Sequence, residues 1–80
     1  MVSMDRLLKP GTLLRIKKNP KISTLNAKHD VDGPWRWYYA QFTDVFISTG
    51  RKDTRDHLIE VIDPHGVLVW LYKGRFMEAK

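Results

Sequence analysis

The sequence predicts a small all-β domain, and three features of it carry that expectation. Short segments of alternating apolar and polar residues recur between Pro, Gly and Asp punctuation. An aromatic-dense stretch, Trp35-Arg36-Trp37-Tyr38-Tyr39-Ala40-Gln41-Phe42, has the composition of a strand. Asp63-Pro64-His65-Gly66 separates two runs rich in Val, Leu and Ile, as in a tight hairpin. At 80 residues the chain makes a single domain with little core volume to spare, so function is expected on a face or in a shallow groove.

The elements follow in order. Residues 1–9 show no steady period, and Pro10-Gly11 stops any helical turn there, so this stretch is expected to be an arm on a domain spanning 10–80. Thr12 to Lys18 follows as the first strand. Leu14 and Ile16 point one way, and Arg15 and Lys17 the other. Residues 21–34 have few apolar side chains and end in the turn-rich Asp30-Val31-Asp32-Gly33-Pro34, which reads as a long loop. The second strand starts at Trp35. Thr43-Asp44 interrupts it with a bulge, bend or tight turn before Val45-Phe46-Ile47. Residues 48–56 are polar and read as a mobile connector.

The hairpin at 57–72 is specified most closely. Pro64 suits the second position of a type I turn, and Gly66 suits the left-handed conformation of a G1 bulge. That geometry pairs Asp63 with Val67, Val61 with Val69 and Ile59 with Leu71 on the core face. It leaves Ile62–Leu68, Glu60–Trp70 and Leu58–Tyr72 on the other. Lys73-Gly74-Arg75 then turns the chain into a short closing strand, Phe76-Met77-Glu78.

Five strands in this order resemble an SH3-like small β-barrel. The likeness lies in Pro10-Gly11 before the first strand, the long first loop ending near Trp35, the tight turn at 63–66 and the last turn and strand at 73–78. The acidic first loop and the proline of peptide-binding SH3 domains are not matched, since the loop here carries Lys17, Lys18, Lys21 and Lys28. Gly11 followed by Leu14 and Ile16 is similar to the opening of the KOW motif of nucleic-acid-associated barrels. This resemblance implies a binding module whose partner is a polyanion.

Charge points the same way. The net charge of +5 is concentrated, with +6 in residues 1–28 and −1 in the remainder. A concentrated excess suits an acidic partner, although it also serves solubility. The candidate nucleic-acid contacts are Arg15, Lys17, Lys18, Lys21, Lys28 and Arg36, extended by Arg51, Lys52 and Arg55, with Trp35 and Trp37 as stacking rings. RNA and DNA are equally compatible with this set. Trp35, Trp37 and Tyr39 share one strand face, and Tyr38, Ala40 and Phe42 the other. Packing needs alone would bury at least two of Trp35, Trp37, Tyr38 and Tyr39.

A second reading is a protein-partner face formed by Leu58, Ile62, Leu68, Trp70 and Tyr72, too apolar to stay bare unless residues 1–8 fold across it. A third is a small ribonuclease using Arg51, Arg55, His57 and Glu60. No catalytic or cofactor motif occurs, and His29, His57 and His65 lack metal-ligand spacing, so no catalytic residue, metal or cofactor is expected. With no cysteine, no span-length apolar run and no signal-peptide layout, a cytoplasmic setting is expected.

Overall fold

The computed structural model describes residues 9–17, 24–53 and 57–79. It is a small all-β fold, as expected. The described residues form seven strands: β1 (Leu13–Ile16), β2 (Thr24–Ala27), β3 (Arg36–Tyr39), β4 (Phe46–Asp53), β5 (Leu58–Ile62), β6 (Leu68–Tyr72) and β7 (Phe76–Glu78). A 3-10 turn, Lys73–Arg75, joins the last two. Five strands form one sheet in the order β6-β5-β4-β1-β7, with antiparallel neighbours throughout; β2 and β3 form a second, two-stranded sheet.

One hydrophobic core lies between the two sheets. Leu14 and Ile16 reach it from β1, Leu25 and Ala27 from β2, and Phe46 from β4. Ile59, Val61, Val69 and Leu71 come from the β5–β6 hairpin and Phe76 from β7. The alternation in β1 holds, with Arg15 and Lys17 outside. Phe46 and Phe76 meet edge-to-face at 5.4 Å, the geometry that aromatic quadrupoles favour.

The β5–β6 hairpin has the predicted register at every pair from Leu58↔Tyr72 to Ile62↔Leu68. Its turn is held twice. Gly66 at φ 81° donates its amide to the Asp63 carbonyl (2.9 Å), and the Asp63 amide donates to the Val67 carbonyl (2.9 Å). The Asp63 carboxylate adds a third restraint, accepting the amides of His65 (2.9 Å) and Val67 (2.8 Å) through one oxygen.

Two expectations are corrected. Residues 21–34 are not all loop, because Thr24–Ala27 forms β2 and pairs along β3 from Thr24↔Tyr39 to Ala27↔Arg36. Leu25 and Ala27 alternate into the core while Thr24 and Asn26 stay outside, a pattern too short to signal by itself. Residues 48–53 are not a mobile connector. They continue β4: Ser48, Lys52 and Asp53 pair with β5, the Ser48 and Thr49 hydroxyls accept the bulge amides of Gly50 and Arg51, and the Thr49 hydroxyl donates across to Glu60. Gly50 at φ 88° marks the register shift between Ser48 and Lys52, a bulge that bends the strand. The interruption at Thr43-Asp44 is the expected turn, closed by Asp44 amide to Gln41 carbonyl (3.0 Å) and by Gln41 amide to the Asp44 carboxylate (3.0 Å). Residues 1–8, and with them most of the expected arm, lie outside the described residues.

Candidate functional site

The β2–β3 hairpin has two unlike faces. Tyr38 turns inward with Leu25, and Tyr38, Ala40 and Phe42 pack against the core from its edge. Trp35, Trp37 and Tyr39 turn outward, leaving Trp37 69% and Tyr39 76% exposed and Trp35 39% exposed. The expectation that at least two of the four rings are substantially buried holds for Tyr38, packed against the core, and more weakly for the partly covered Trp35, while Trp37 and Tyr39 stand in solvent. Leu25, Ala27 and the side chains across the core already fill the interior, so the outer rings have no core to enter. Alternate residues on one strand face stand about 6.7 Å apart. The three rings thus form a stripe along β3.

One end of the stripe is built into the fold. Lys28 and Trp70 exchange both backbone hydrogen bonds (3.0 and 2.7 Å), which sets β2 beside β6. Trp35 stacks on Tyr72 at 5.2 Å with 20° between the planes, and the Lys28 ammonium sits 4.5 Å from the Trp35 ring centroid. The same ammonium lies 3.4 Å from the Val31 carbonyl, which positions it at the turn 30–33. Trp35 is thereby held by a ring and a cation, while Trp37 and Tyr39 stand in solvent.

A cationic edge adjoins this end. Tyr72 leads directly into the 3-10 turn, whose three residues rise roughly 6 Å. The Lys17 amide donates to the Arg75 carbonyl (2.8 Å), and Arg15 lies opposite Met77. Arg15, Lys17 and Arg75 are therefore exposed together along β1 and the approach to β7. Arg75 is a functional candidate that sequence reasoning missed. Nothing local distinguishes it, and only the pairing of β1 with β7 brings it to Lys17.

The other predicted contacts are distributed differently. Arg36 alternates with Trp35 and Trp37, so it leaves the opposite face of β3, exposed and opposite Ala27. Arg51 lies 3.6 Å from the buried Glu60 carboxylate and 5.7 Å from the Trp70 ring centroid, although its side chain remains largely exposed. Lys52 is exposed on β4, opposite Ile59. Lys18, Lys21 and Arg55 lie outside the described residues.

The partner face proposed for the 57–72 hairpin is reduced. Leu58 and Trp70 are buried, so neither is available to another molecule. The β2 bridge and the Arg51 guanidinium cover Trp70, while Ile62 is part-exposed and Leu68 and Tyr72 are exposed. Of the ribonuclease set, Glu60 is buried beneath these groups, accepting the Thr49 hydroxyl (2.9 Å) beside Arg51. His57 is exposed in a left-handed conformation at φ 57°, and its carbonyl accepts the Lys73 amide (3.1 Å).

A polar pair locks the stripe strand to the tight turn. The Tyr38 hydroxyl donates to the second Asp63 carboxylate oxygen at 2.8 Å. Burial raises the Tyr38 pKa well above the ordinary phenol value, and the hydrogen bond to Asp63, the charge of Asp63 and that of Asp44 add to the rise. For Asp63, burial alone would raise the pKa. The Val67 amide, the Tyr38 hydroxyl and the His65 amide outweigh it and hold the carboxyl below its usual value.

Among the described residues, no three His, Asp or Glu side chains gather as metal ligands, and no helix is long and apolar enough to cross a membrane. Compared with protein families, curated proteins and solved structures, the chain matches none.

Proposed function

We propose that this protein binds single-stranded nucleic acid without catalysis, stacking bases on Trp37 and Tyr39 and meeting the phosphates with Lys28, Lys17, Arg15 and Arg75. The single observation that carries the reading is the exposure of two adjacent aromatic rings in a domain with little core to spare. Burying either ring would contribute about 1.5–3 kcal/mol, which a small domain forgoes at some cost. Bases stack on exposed rings at about 1–3 kcal/mol each with little sequence preference, because every base has a π-face. Lys28 at the Trp35 end and the cations of the edge beyond Tyr72 supply the counterion-release part of the affinity.

The antiparallel five-stranded sheet, the tight β5–β6 turn and the final 3-10 turn and short strand support the SH3-like reading of the fold. The cysteine-free composition supports a cytoplasmic setting.

The test is a fluorescence titration with a single-stranded oligonucleotide at two salt concentrations. Affinity is expected to fall steeply with salt for the wild type. Trp37→Ala should weaken binding about 5- to 100-fold while preserving the salt slope, since it removes stacking and no charge. Lys17→Glu with Arg75→Glu should weaken binding and flatten the slope. Binding that is absent, or insensitive to both salt and Trp37→Ala, would remove the reading.

A further inference from the structure

A row of polar side chains on β2 runs beside the aromatic stripe. Thr24 pairs with Tyr39 and Asn26 with Trp37, and Lys28 lies one step further along the same register, beside Trp35. Directly opposite residues of an antiparallel pair share a face, with Cβ atoms roughly 4.5–5.5 Å apart. The Lys28 ammonium, 4.5 Å from the Trp35 ring centroid, shows that a side chain of this row reaches the ring opposite it. Trp35 is already engaged by Lys28 and Tyr72, whereas Trp37 is open to solvent and its neighbour is a carboxamide. Asn26 is itself exposed, so a ligand on Trp37 has access to that carboxamide.

We propose that Asn26 reads the edge of the base stacked on Trp37 and selects adenine at that position; the inference rests on the single-strand reading given above. Trp37 and Tyr39 stand about 6.7 Å apart along β3, about twice the 3.4 Å repeat of bases stacked within one strand. Both rings therefore take neighbouring bases only from an unstacked strand, whose base edges are splayed and unpaired. A carboxamide offers an acceptor and a donor side by side. Adenine alone matches that pair on both of its polar edges, N6 with N7 and N6 with N1, and the N6/N7 edge is the usual bidentate partner of Asn. Guanine presents two acceptors at its O6/N7 edge, which leaves it, like each pyrimidine, one matching edge. Thr24, half-buried beside Tyr39, carries a single hydroxyl that donates or accepts, so the second position is read without preference.

Competition titrations of the full chain with three single-stranded hexamers test the proposal. One is all thymidine, and the others carry one deoxyadenosine or one deoxyguanosine at the third position. The adenine strand is expected to bind about 3- to 10-fold more tightly than either other strand. This is below the discrimination of a buried bidentate contact, because the site faces solvent and the other bases keep one matching edge. Asn26→Ala should bring the adenine-to-guanine ratio to about one. Because the readout is a ratio, a disturbance of the strand that weakened every hexamer alike would not imitate that result. Equal affinity for the adenine and guanine strands, or a preference that survives Asn26→Ala, would overturn the proposal and leave the single-strand reading standing. Failure to bind any of the three would remove both.

Discussion

At the scale of single residues, Asp63 couples the tight turn to the strand that carries the stripe. One carboxylate oxygen restrains the turn and the other accepts Tyr38 from β3. Hydrogen bonds to a buried charged acceptor are worth about 1.5–3 kcal/mol, so Asp63→Ala should lower unfolding free energy by about 2–4 kcal/mol in urea. The sign of its pH dependence follows from the lowered folded-state pKa. The stabilisation is complete above the unfolded value of about 4 and is lost as pH falls through the folded value. Urea midpoints between pH 2 and 6 should therefore drop less steeply for Asp63→Asn than for the wild type. Tyr38 gives a complementary readout. Its raised pKa keeps the phenol protonated through the ordinary tyrosine range. Ultraviolet titration to pH 11 should then show equal tyrosinate amplitude in the wild type and Tyr38→Phe; a larger wild-type amplitude would contradict the burial of Tyr38 against Asp63.

At the scale of elements, the most legible part of the sequence was the one whose turn chemistry fixes its register. Pro64 and Gly66 pin the β5–β6 turn, and a period of two then assigns every partner on both strands. Gly66 tests this directly. A Cβ there meets no atom within 4 Å, so Gly66→Ala measures the left-handed backbone alone. A cost of about 1–2 kcal/mol is expected, visible as a fall of several degrees in the thermal midpoint. The strands that escaped sequence reasoning lack such local signals. β2 contributes only Leu25 and Ala27 to the core, and its identity as a strand depends on pairing with β3. The second half of β4 is polar because Thr49 and Arg51 serve the buried Glu60, a demand set by residues far along the chain. The same limit explains the aromatic stripe. Alternation showed that Trp35, Trp37 and Tyr39 share a face, but which face meets the core is decided by side chains from the other sheet.

At the scale of the whole molecule, the fold sets two surfaces around one core. The stripe lies on the outside of the smaller sheet, and the cationic edge follows β1 and the 3-10 turn on the larger one, beside the outward Leu13 and Met77. The concentration of positive charge in the first third was legible from composition, whereas the meeting of Lys17 with Arg75 needed the β1–β7 pairing. The shared core makes both sheets depend on the same rings. Phe46→Ala or Phe76→Ala should cost about 3–5 kcal/mol, enough to leave a domain of this size largely unfolded by circular dichroism at 37 °C. The central claim is that the outward rings of β3 are the ligand contacts. The three indole N–H resonances of Trp35, Trp37 and Trp70, followed by NMR as a single-stranded oligonucleotide is added, test it most directly. Trp37 is expected to shift most, Trp35 less, and buried Trp70 hardly at all. A silent Trp37 at saturating oligonucleotide, or a response led by Trp70, would contradict the claim.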